Sequence, residues 1–160
     1  MKRLMWLSLL FLLIASRAGS QEQALKYFEG RWEGTVKYFN PKGMEMGKYK
    51  ARRILSFAGA DTLRGSIEYQ LQENRSQKNN LEIIGQGKSF ILRQPKSILQ
   101  GSFKERTFTF TGRDDNLKVD IQETHFFVAE DQEFFTLYQI DPVTKKKTVY
   151  MRGVLKLKKD

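Results

Sequence analysis

Apolar and polar residues alternate in short segments along most of the chain that follows Gln21. In residues 63–71, for example, every second residue is apolar or glycine, and the residues between them are polar. A period of two is typical of β-strands that bury one face, because successive side chains point to opposite sides of a strand. No stretch of ten or more residues after Gln21 has a comparable helical period. The pattern therefore predicts an all-β domain.

Turn-forming residues divide this part of the chain into eight to ten predicted strands. Short connections favour antiparallel pairing, and this many strands in about 140 residues indicates a closed barrel or a sandwich. We predict an up-and-down barrel, because closure removes exposed strand edges. Residues 21–27 are predicted as a short helix or turn, and the polar segment 73–80 as a loop. The predicted strands are 31–39, 48–57, 63–71, 81–88, 89–93, 97–104, 106–113, 117–128, 133–140 and 146–158.

Residues 1–20 have the pattern of a cleavable signal peptide. Two basic residues precede the apolar segment Leu4–Ala15, and small residues follow it. Cleavage fits after Ala18 or after Ser20, and we prefer the second position. About 12 apolar residues fall short of the roughly 20 that span a bilayer, so we expect no transmembrane anchor after cleavage. The sequence therefore predicts a secreted or periplasmic protein whose barrel domain covers residues 21–160.

The chain contains no cysteine and has a formal net charge of +10. Without cysteine there is neither a disulfide nor a residue for a bacterial lipid anchor, which favours a bacterial envelope protein over a small animal domain. Lysines cluster at residues 145–147 and at the carboxyl terminus. Because a basic surface attracts anions, an anionic envelope component is a candidate partner. Nucleic acid is not expected as a partner for an exported protein.

A short motif opens the first predicted strand: Gly30-Arg31-Trp32-Glu33-Gly34, or G-x-W-x-G. It resembles the start of the lipocalin and calycin superfamily, and more narrowly bacterial lipocalin-like families of unknown function and nitrobindin-like barrels. The resemblance implies that Trp32 plugs the closed end of a barrel and that a basic residue near the end of the last strand packs on it. Arg152 is the candidate. Simple alternation points Arg152 outward, whereas a bulge at Gly153 would turn it inward.

Several polar residues fall on faces that alternation predicts to be inside the barrel. Glu123 and His125 continue a face that begins with apolar residues, and Arg53 shares a face with apolar neighbours in the second strand. Together with Tyr69 and Tyr138, they are the candidate ligand-binding residues. An inward arginine can bind a ligand carboxylate in a bidentate fashion. The register is open, since a bulge near position 124 or a shift at the paired arginines 52 and 53 would turn these side chains outward.

We predict that the barrel binds a small apolar or amphipathic molecule, such as a lipid or fatty acid. Small residues at Gly65, Gly85, Gly101 and Gly112 are expected to leave room inside. Two alternatives remain. One is a structural or interaction barrel with a filled core and a basic surface that contacts envelope partners. The other, less favoured, is a barrel enzyme of the isomerase or hydrolase type.

Binding is favoured over catalysis because no catalytic motif is recognisable. The enzyme alternative would have to use Glu123 and His125. His125 is the single histidine, and the sequence has no nucleophile-elbow motif, so a catalytic serine–histidine–aspartate triad is not indicated. One histidine without cysteine makes a metal site uncommon, and none is predicted. Nitrobindin-like barrels bind haem through a histidine near the carboxyl terminus. His125 lies mid-domain outside any such motif, so no cofactor is predicted.

Overall fold

The computed structural model describes residues 21–72 and 75–159, which form one short helix and ten strands. The helix covers residues 21–25 and is followed by a turn. The predicted signal peptide, with its two cleavage positions, lies outside the described residues. The strands are β1 Gly30–Phe39, β2 Glu45–Gly59, β3 Thr62–Gln72, β4 Arg75–Gln86, β5 Ser89–Gln94, β6 Ser97–Lys104, β7 Thr107–Asp114, β8 Val119–Ala129, β9 Gln132–Ile140 and β10 Lys147–Lys158.

The ten strands form a closed antiparallel barrel in which each strand pairs with its neighbours in the chain. Strands β1 and β10 close the sheet, with Trp32 opposite Leu157 and Val36 opposite Gly153. Closure gives every central strand two partners, so the sheet has no free edge along its length. The predicted up-and-down barrel is confirmed.

Alternation decides which side chains fill the interior. In β1, Trp32 and Val36 are fully buried, and in β8 the residues Glu123, His125 and Phe127 are buried while their neighbours face outward. The register of β8 with β9 is regular through His125 and shifts only after Phe127. The predicted inward register of this strand is therefore present, and no bulge near position 124 interrupts it.

The helix and its turn close one end of the barrel. Ala24, Leu25 and Phe28 are buried there, and the Phe28 ring lies 4.7 Å from Phe108 and 5.1 Å from Phe127 between ring centroids. A helix this short is not stable alone. Burial of its apolar side chains against the barrel interior therefore supplies its stability. We call this the plugged end; the opposite end is the open rim.

One predicted loop is a strand. Residues 75–80 belong to β4 and pair with β3, from Arg75 opposite Gln72 to Asn80 opposite Ser66. Most of these residues are exposed, because this hairpin extends beyond the packed interior. A strand without a buried face has no alternating pattern to reveal it, so the prediction of a loop at this position was wrong.

The glycines do not leave the interior room that the sequence suggested. A Cβ at Gly101 would lie 2.4 Å from the Phe110 ring, and one at Gly65 would lie 1.9 Å from the Ile54 carbonyl oxygen. These positions allow strands and aromatic rings to approach closely, so the space is filled by neighbouring atoms.

Within residues 21–72 and 75–159, no helix combines the length and apolarity needed to cross a membrane.

Candidate functional site

Among the described residues, four acidic or basic side chains lie buried inside the barrel. Arg53 projects inward from β2, Glu123 and His125 from β8, and Glu133 from the start of β9. Their exposed fractions are 2%, 7%, 5% and 0%, respectively. Charged residues are rarely buried so completely unless they are paired, so their contacts determine what this interior can do. We call these four residues the buried network.

Arg53 and Glu133 form a bidentate ion pair at the plugged end. The terminal nitrogens of Arg53 donate to the two carboxylate oxygens of Glu133 at 3.0 and 2.5 Å. The guanidinium carbon also lies 5.0 Å from the centre of the Phe28 ring and 5.3 Å from that of Trp32. The aromatic faces stabilise the cation and fix the plane in which it meets the carboxylate.

His125 bridges the two carboxylates. Its Nδ1 lies 2.6 Å from Glu133 Oε1, and its Nε2 lies 2.9 Å from Glu123 Oε1. Burial lowers the pKa of His125, but the hydrogen bonds and charges of Glu123 and Glu133 outweigh burial and raise it to about 9. The ring is therefore a cation at neutral pH and donates from both nitrogens.

Glu133 is held as a carboxylate by the same contacts. Burial raises its pKa, but the Arg53 charge and the bonds from His125 outweigh burial and lower the pKa to about 2. Two cations thus face two carboxylate groups. This balance reduces the cost of burying charges in a low-dielectric interior.

The network continues from Glu123 toward the open rim. Gln94, at the end of β5, donates from its side-chain nitrogen to Glu123 Oε2 at 3.0 Å. Ser97, at the start of β6, donates to the Gln94 side-chain oxygen at 3.3 Å. Strand β5 has 6 residues whereas β2 has 15, so the barrel wall is shorter at the β5–β6 hairpin. The chain of polar contacts from Glu123 ends close to this shorter part of the rim.

A cavity of about 30 Å³ lies beside the network. That volume is enough for one or two water molecules. Its wall is polar on one side and apolar on the other. The polar lining residues are Arg53, Tyr69, Gln94, Glu123 and His125. The apolar lining residues are Phe28, Leu55, Ile67, Leu81, Ile83, Leu92, Phe135 and Leu155.

The structure brings together four of the five residues predicted to bind a ligand. Arg53, Tyr69, Glu123 and His125 line the cavity, whereas Tyr138 does not. Tyr138 is half-buried and pairs with Gln122 and Val149. Alternation along β9 explains its position, since Glu133 and Phe135 occupy the inward face and Tyr138 lies on the other.

Two residues of the network were not anticipated from the sequence. Glu133 follows a turn, where an acidic residue is typical, although it shares the inward period of Phe135 and Leu137. Gln94 precedes a proline and directly follows the predicted strand 89–93. The alternation of β5 through Phe90 and Leu92 extends to Gln94 and could have found it.

The expected partner of Trp32 requires a correction. Arg152 is exposed on β10, where alternation continues through buried Met151 and Gly153 without reversal. The register shift in β10 falls between Val149 and Met151, not at Gly153. Arg53 occupies the place over Trp32, because β1 and β2 pair these two residues directly. The cation therefore comes from the second strand.

One atom of the network has no hydrogen-bond partner. Among the buried side-chain nitrogen and oxygen atoms of the described residues, this is Arg53 Nε. The atom is inaccessible to solvent, and its guanidinium is flanked by the rings of Phe28 and Trp32. Attraction between the cation and the ring faces offsets part of the cost of leaving the N–H unpaired.

Tyrosine side chains gather above the cavity, toward the open rim. The Tyr38 ring lies 5.2 Å from Tyr49, 6.4 Å from Tyr69 and 5.9 Å from Tyr150. Burial, together with Tyr150 and Tyr49, raises the pKa of Tyr38 to about 12. These four residues, which we call the tyrosine cluster, cover one side of the interior with hydroxyl-bearing rings.

The fold is a closed up-and-down β-barrel of ten antiparallel strands that encloses a partly polar interior. An S-type phycobiliprotein lyase from Guillardia theta superposes with a TM-score of 0.67 at 13% identity, covering 87% of this chain and 93% of that one. Rv2717c from M. tuberculosis gives a TM-score of 0.63 at 13% identity, covering 86% and 96%.

A protein of unknown function from Nostoc punctiforme, assigned to the DUF3598 family, gives a TM-score of 0.61 at 11% identity. Here the match covers 84% of this chain and 49% of the other. No known family profile and no curated protein sequence matches the chain. These similarities establish the shared barrel fold alone.

Proposed function

We propose that this protein is an exported barrel that binds a small apolar or amphipathic, lipid-like molecule in its interior. The buried network carries the proposal. Replacing a buried ion pair with hydrophobic side chains of similar volume is often neutral or stabilising, so stability alone does not explain why four acidic and basic groups are buried here. Shifted pKa values beside a cavity are characteristic of functional sites.

Binding requires side chains to move, because a cavity of about 30 Å³ has room for water but not for a lipid-like molecule. The plugged end is closed by interlocked rings of Phe28, Phe108 and Phe127. The side of the open rim is closed by the tyrosine cluster, whose rings can turn about side-chain bonds without breaking the helix. The proposed entry route therefore passes Tyr69 and Gln94, which line the cavity toward the open rim.

The test uses the neutral fluorescent probe N-phenyl-1-naphthylamine with the protein comprising residues 21–160. We expect saturable binding of one probe per barrel. Leu92 lines the cavity, so Leu92→Phe should fill it and weaken binding at least about tenfold. Ile98 is 65% exposed on the outer wall, and Ile98→Phe is the matched control that should bind normally.

Non-saturable fluorescence, or equal binding by the two variants when both are folded, would contradict interior binding. Native mass spectrometry of the protein purified from its own host supplies a second measurement. A retained small molecule lost in Leu92→Phe is the expected result.

A second candidate function rests on the outer wall. Phe126 pairs with Phe134, which pairs with Val154, so apolar side chains form a row across β8, β9 and β10, in which Val154 is half-buried. The two phenylalanines are 46% and 41% exposed. A groove of about 340 Å³ beside this row includes Lys48 and Arg152. Apolar side chains beside basic residues suit an anionic membrane surface.

Sedimentation with phosphatidylglycerol vesicles tests this candidate against phosphatidylcholine vesicles. We expect binding to the anionic vesicles only, and its loss in a Lys48→Gln/Arg152→Gln variant. Lys88→Gln/Lys96→Gln, at turns of other hairpins, is the charge-matched control. Equal sedimentation with both lipids would refute an anionic envelope partner of this kind.

A further inference from the structure

Both cations of the buried network are already used. The two terminal nitrogens of Arg53 donate to Glu133, and both ring nitrogens of His125 lie within hydrogen-bond distance of carboxylates. Arg53 Nε is unpaired, but it is inaccessible to solvent. An anionic group that enters the cavity therefore finds no free positive charge. The bidentate arginine anchor for a ligand carboxylate, expected from the sequence, is occupied from within the protein.

Hydrogen-bond acceptors, in contrast, remain available. Glu123 accepts one bond from His125 and one from Gln94. A carboxylate offers about four acceptor positions, so about two of those on Glu123 are unused. Tyr69 also lines the cavity, and burial raises its pKa well above the usual value, so its hydroxyl stays neutral. A neutral hydroxyl both donates and accepts, so the preference of the site comes from the unused carboxylate positions of Glu123, which no unpaired cation offsets.

Desolvation makes this imbalance selective. An ammonium or hydroxyl group placed against Glu123 exchanges its water hydrogen bonds for a bond to a carboxylate. A carboxylate placed there loses its hydration, gains no cation and lies against a like charge. The apolar residues opposite, such as Leu81 and Ile83, suit a hydrocarbon tail in either case. The head group is thus the part of a ligand that the site discriminates.

We propose that the interior site selects amphipathic molecules whose head group donates hydrogen bonds, namely alcohols or amines, and rejects the matching carboxylates. The inference rests on the proposed interior binding function and specifies its ligand class. Glu123 is the specificity-determining residue, because it is the member of the network with acceptor positions still unused beside the cavity.

Displacement of N-phenyl-1-naphthylamine by a matched series tests the inference. At neutral pH, 1-octanol and octylamine should displace the probe at concentrations at least about tenfold lower than octanoate, as expected for a charge buried without a partner. Lowering the pH to about 4 converts much of the octanoate to the neutral acid, which donates a hydrogen bond. Its competition relative to 1-octanol should then improve.

Glu123→Gln removes the carboxylate charge with little change in shape. We expect this variant to bind octanoate more tightly relative to octylamine. The ratio of the octanoate concentration to the octylamine concentration that displaces the probe should fall at least about fivefold. Glu68→Gln is the matched control, since Glu68 pairs with Arg52 on the outer wall and should leave the ratio unchanged. The wild-type pH experiment keeps the inference testable even if Glu123→Gln fails to fold.

The outcomes separate this inference from the proposed function. If octanoate competes as well as or better than 1-octanol while the probe binds saturably, the head-group selectivity is refuted and interior binding stands. An unchanged octanoate-to-octylamine ratio in a folded Glu123→Gln variant would refute the role of Glu123. If neither the probe nor any member of the series binds, both proposals fail together.

Discussion

Replacing Arg53 with methionine should strongly destabilise the barrel. Methionine keeps much of the side-chain volume but removes the positive charge and both hydrogen bonds to Glu133. Glu133 is 0% exposed, so water cannot reach it to compensate. The network then contains two carboxylate groups and one cation, His125. The variant therefore leaves an excess negative charge in the interior.

The magnitude follows from the cost of breaking a buried pair. Removing one partner of a buried ion pair costs about 3–5 kcal/mol. Loss of the cation over Phe28 and Trp32 adds to this by about 0.5–2 kcal/mol. Since small domains unfold with about 5–15 kcal/mol, Arg53→Met should lose a large fraction of the total stability. Glu133→Leu leaves Arg53 and His125 with one carboxylate between them, and it should lower the free energy of unfolding by a similar amount.

The double variant distinguishes charge imbalance from lost packing. Arg53→Met/Glu133→Leu removes one charge of each sign and leaves His125 opposite Glu123, which are 2.9 Å apart. The interior is again balanced, and apolar side chains replace the pair. Replacing a buried pair in this way is often neutral or stabilising. We therefore expect the double variant to be more stable than either single variant, with a coupling energy of at least about 2 kcal/mol.

Urea unfolding followed by far-ultraviolet circular dichroism at neutral pH measures these differences. The slope of the unfolding free energy against urea should be the same for all variants, so that midpoints can be compared. Arg52→Met is the matched control, because Arg52 is the adjacent residue and pairs with Glu68 on the outer wall. Its midpoint should stay near the wild-type value. Additive losses in the double variant, or equal midpoints for Arg52→Met and Arg53→Met, would refute the reasoning.

Three further predictions concern pH, packing and processing. His125, with its pKa raised to about 9 from an ordinary 6.5, stabilises the fold fully below 6.5 and loses this contribution as the pH rises toward 9. Glu133, with its pKa lowered to about 2 from 4.5, loses its contribution as the pH falls from 4.5 toward 2. Urea midpoints should therefore be highest between about pH 4.5 and 6.5, and His125→Gln should flatten the alkaline decline; a decline unchanged in that variant would contradict the assignment. Gly153→Ala places a Cβ 1.9 Å from the Phe135 ring and should cost about 1–3 kcal/mol in the same assay. At Gly59 the nearest atom to an added Cβ is the Asp61 carboxylate oxygen at 3.9 Å, so Gly59→Ala should change the midpoint little; equal effects of the two variants would contradict the packing. Full-length protein expressed in a bacterial host should be recovered from the envelope fraction with its amino terminus at residue 21, or at residue 19 if the other cleavage position is used, by mass spectrometry; recovery of the intact chain from the cytoplasm would refute export.

Much of the barrel was predictable from local information. Strands such as β6 and β10 have one face against an apolar interior and one against water, so apolar and polar residues alternate along them. The same alternation placed Arg53, Glu123 and His125 inside. The segment at residues 75–80 was missed because it lies beyond the interior and has no buried face. Local pattern therefore reveals a strand only where burial imposes the pattern.

The sequence by itself predicted the inward face of most strands, because alternation along a strand is a local property of the backbone, although it placed Tyr138 inside. Only the tertiary structure decided which inward side chains meet. Arg53 and Glu133 are 80 residues apart in the chain, and closure of the sheet brings them into a bidentate pair. That pairing, rather than Arg152, supplies the cation over Trp32, and it also removes the free arginine that a ligand carboxylate would need. The reason is physical: a buried charge is neutralised by whatever partner three-dimensional packing brings within hydrogen-bond distance.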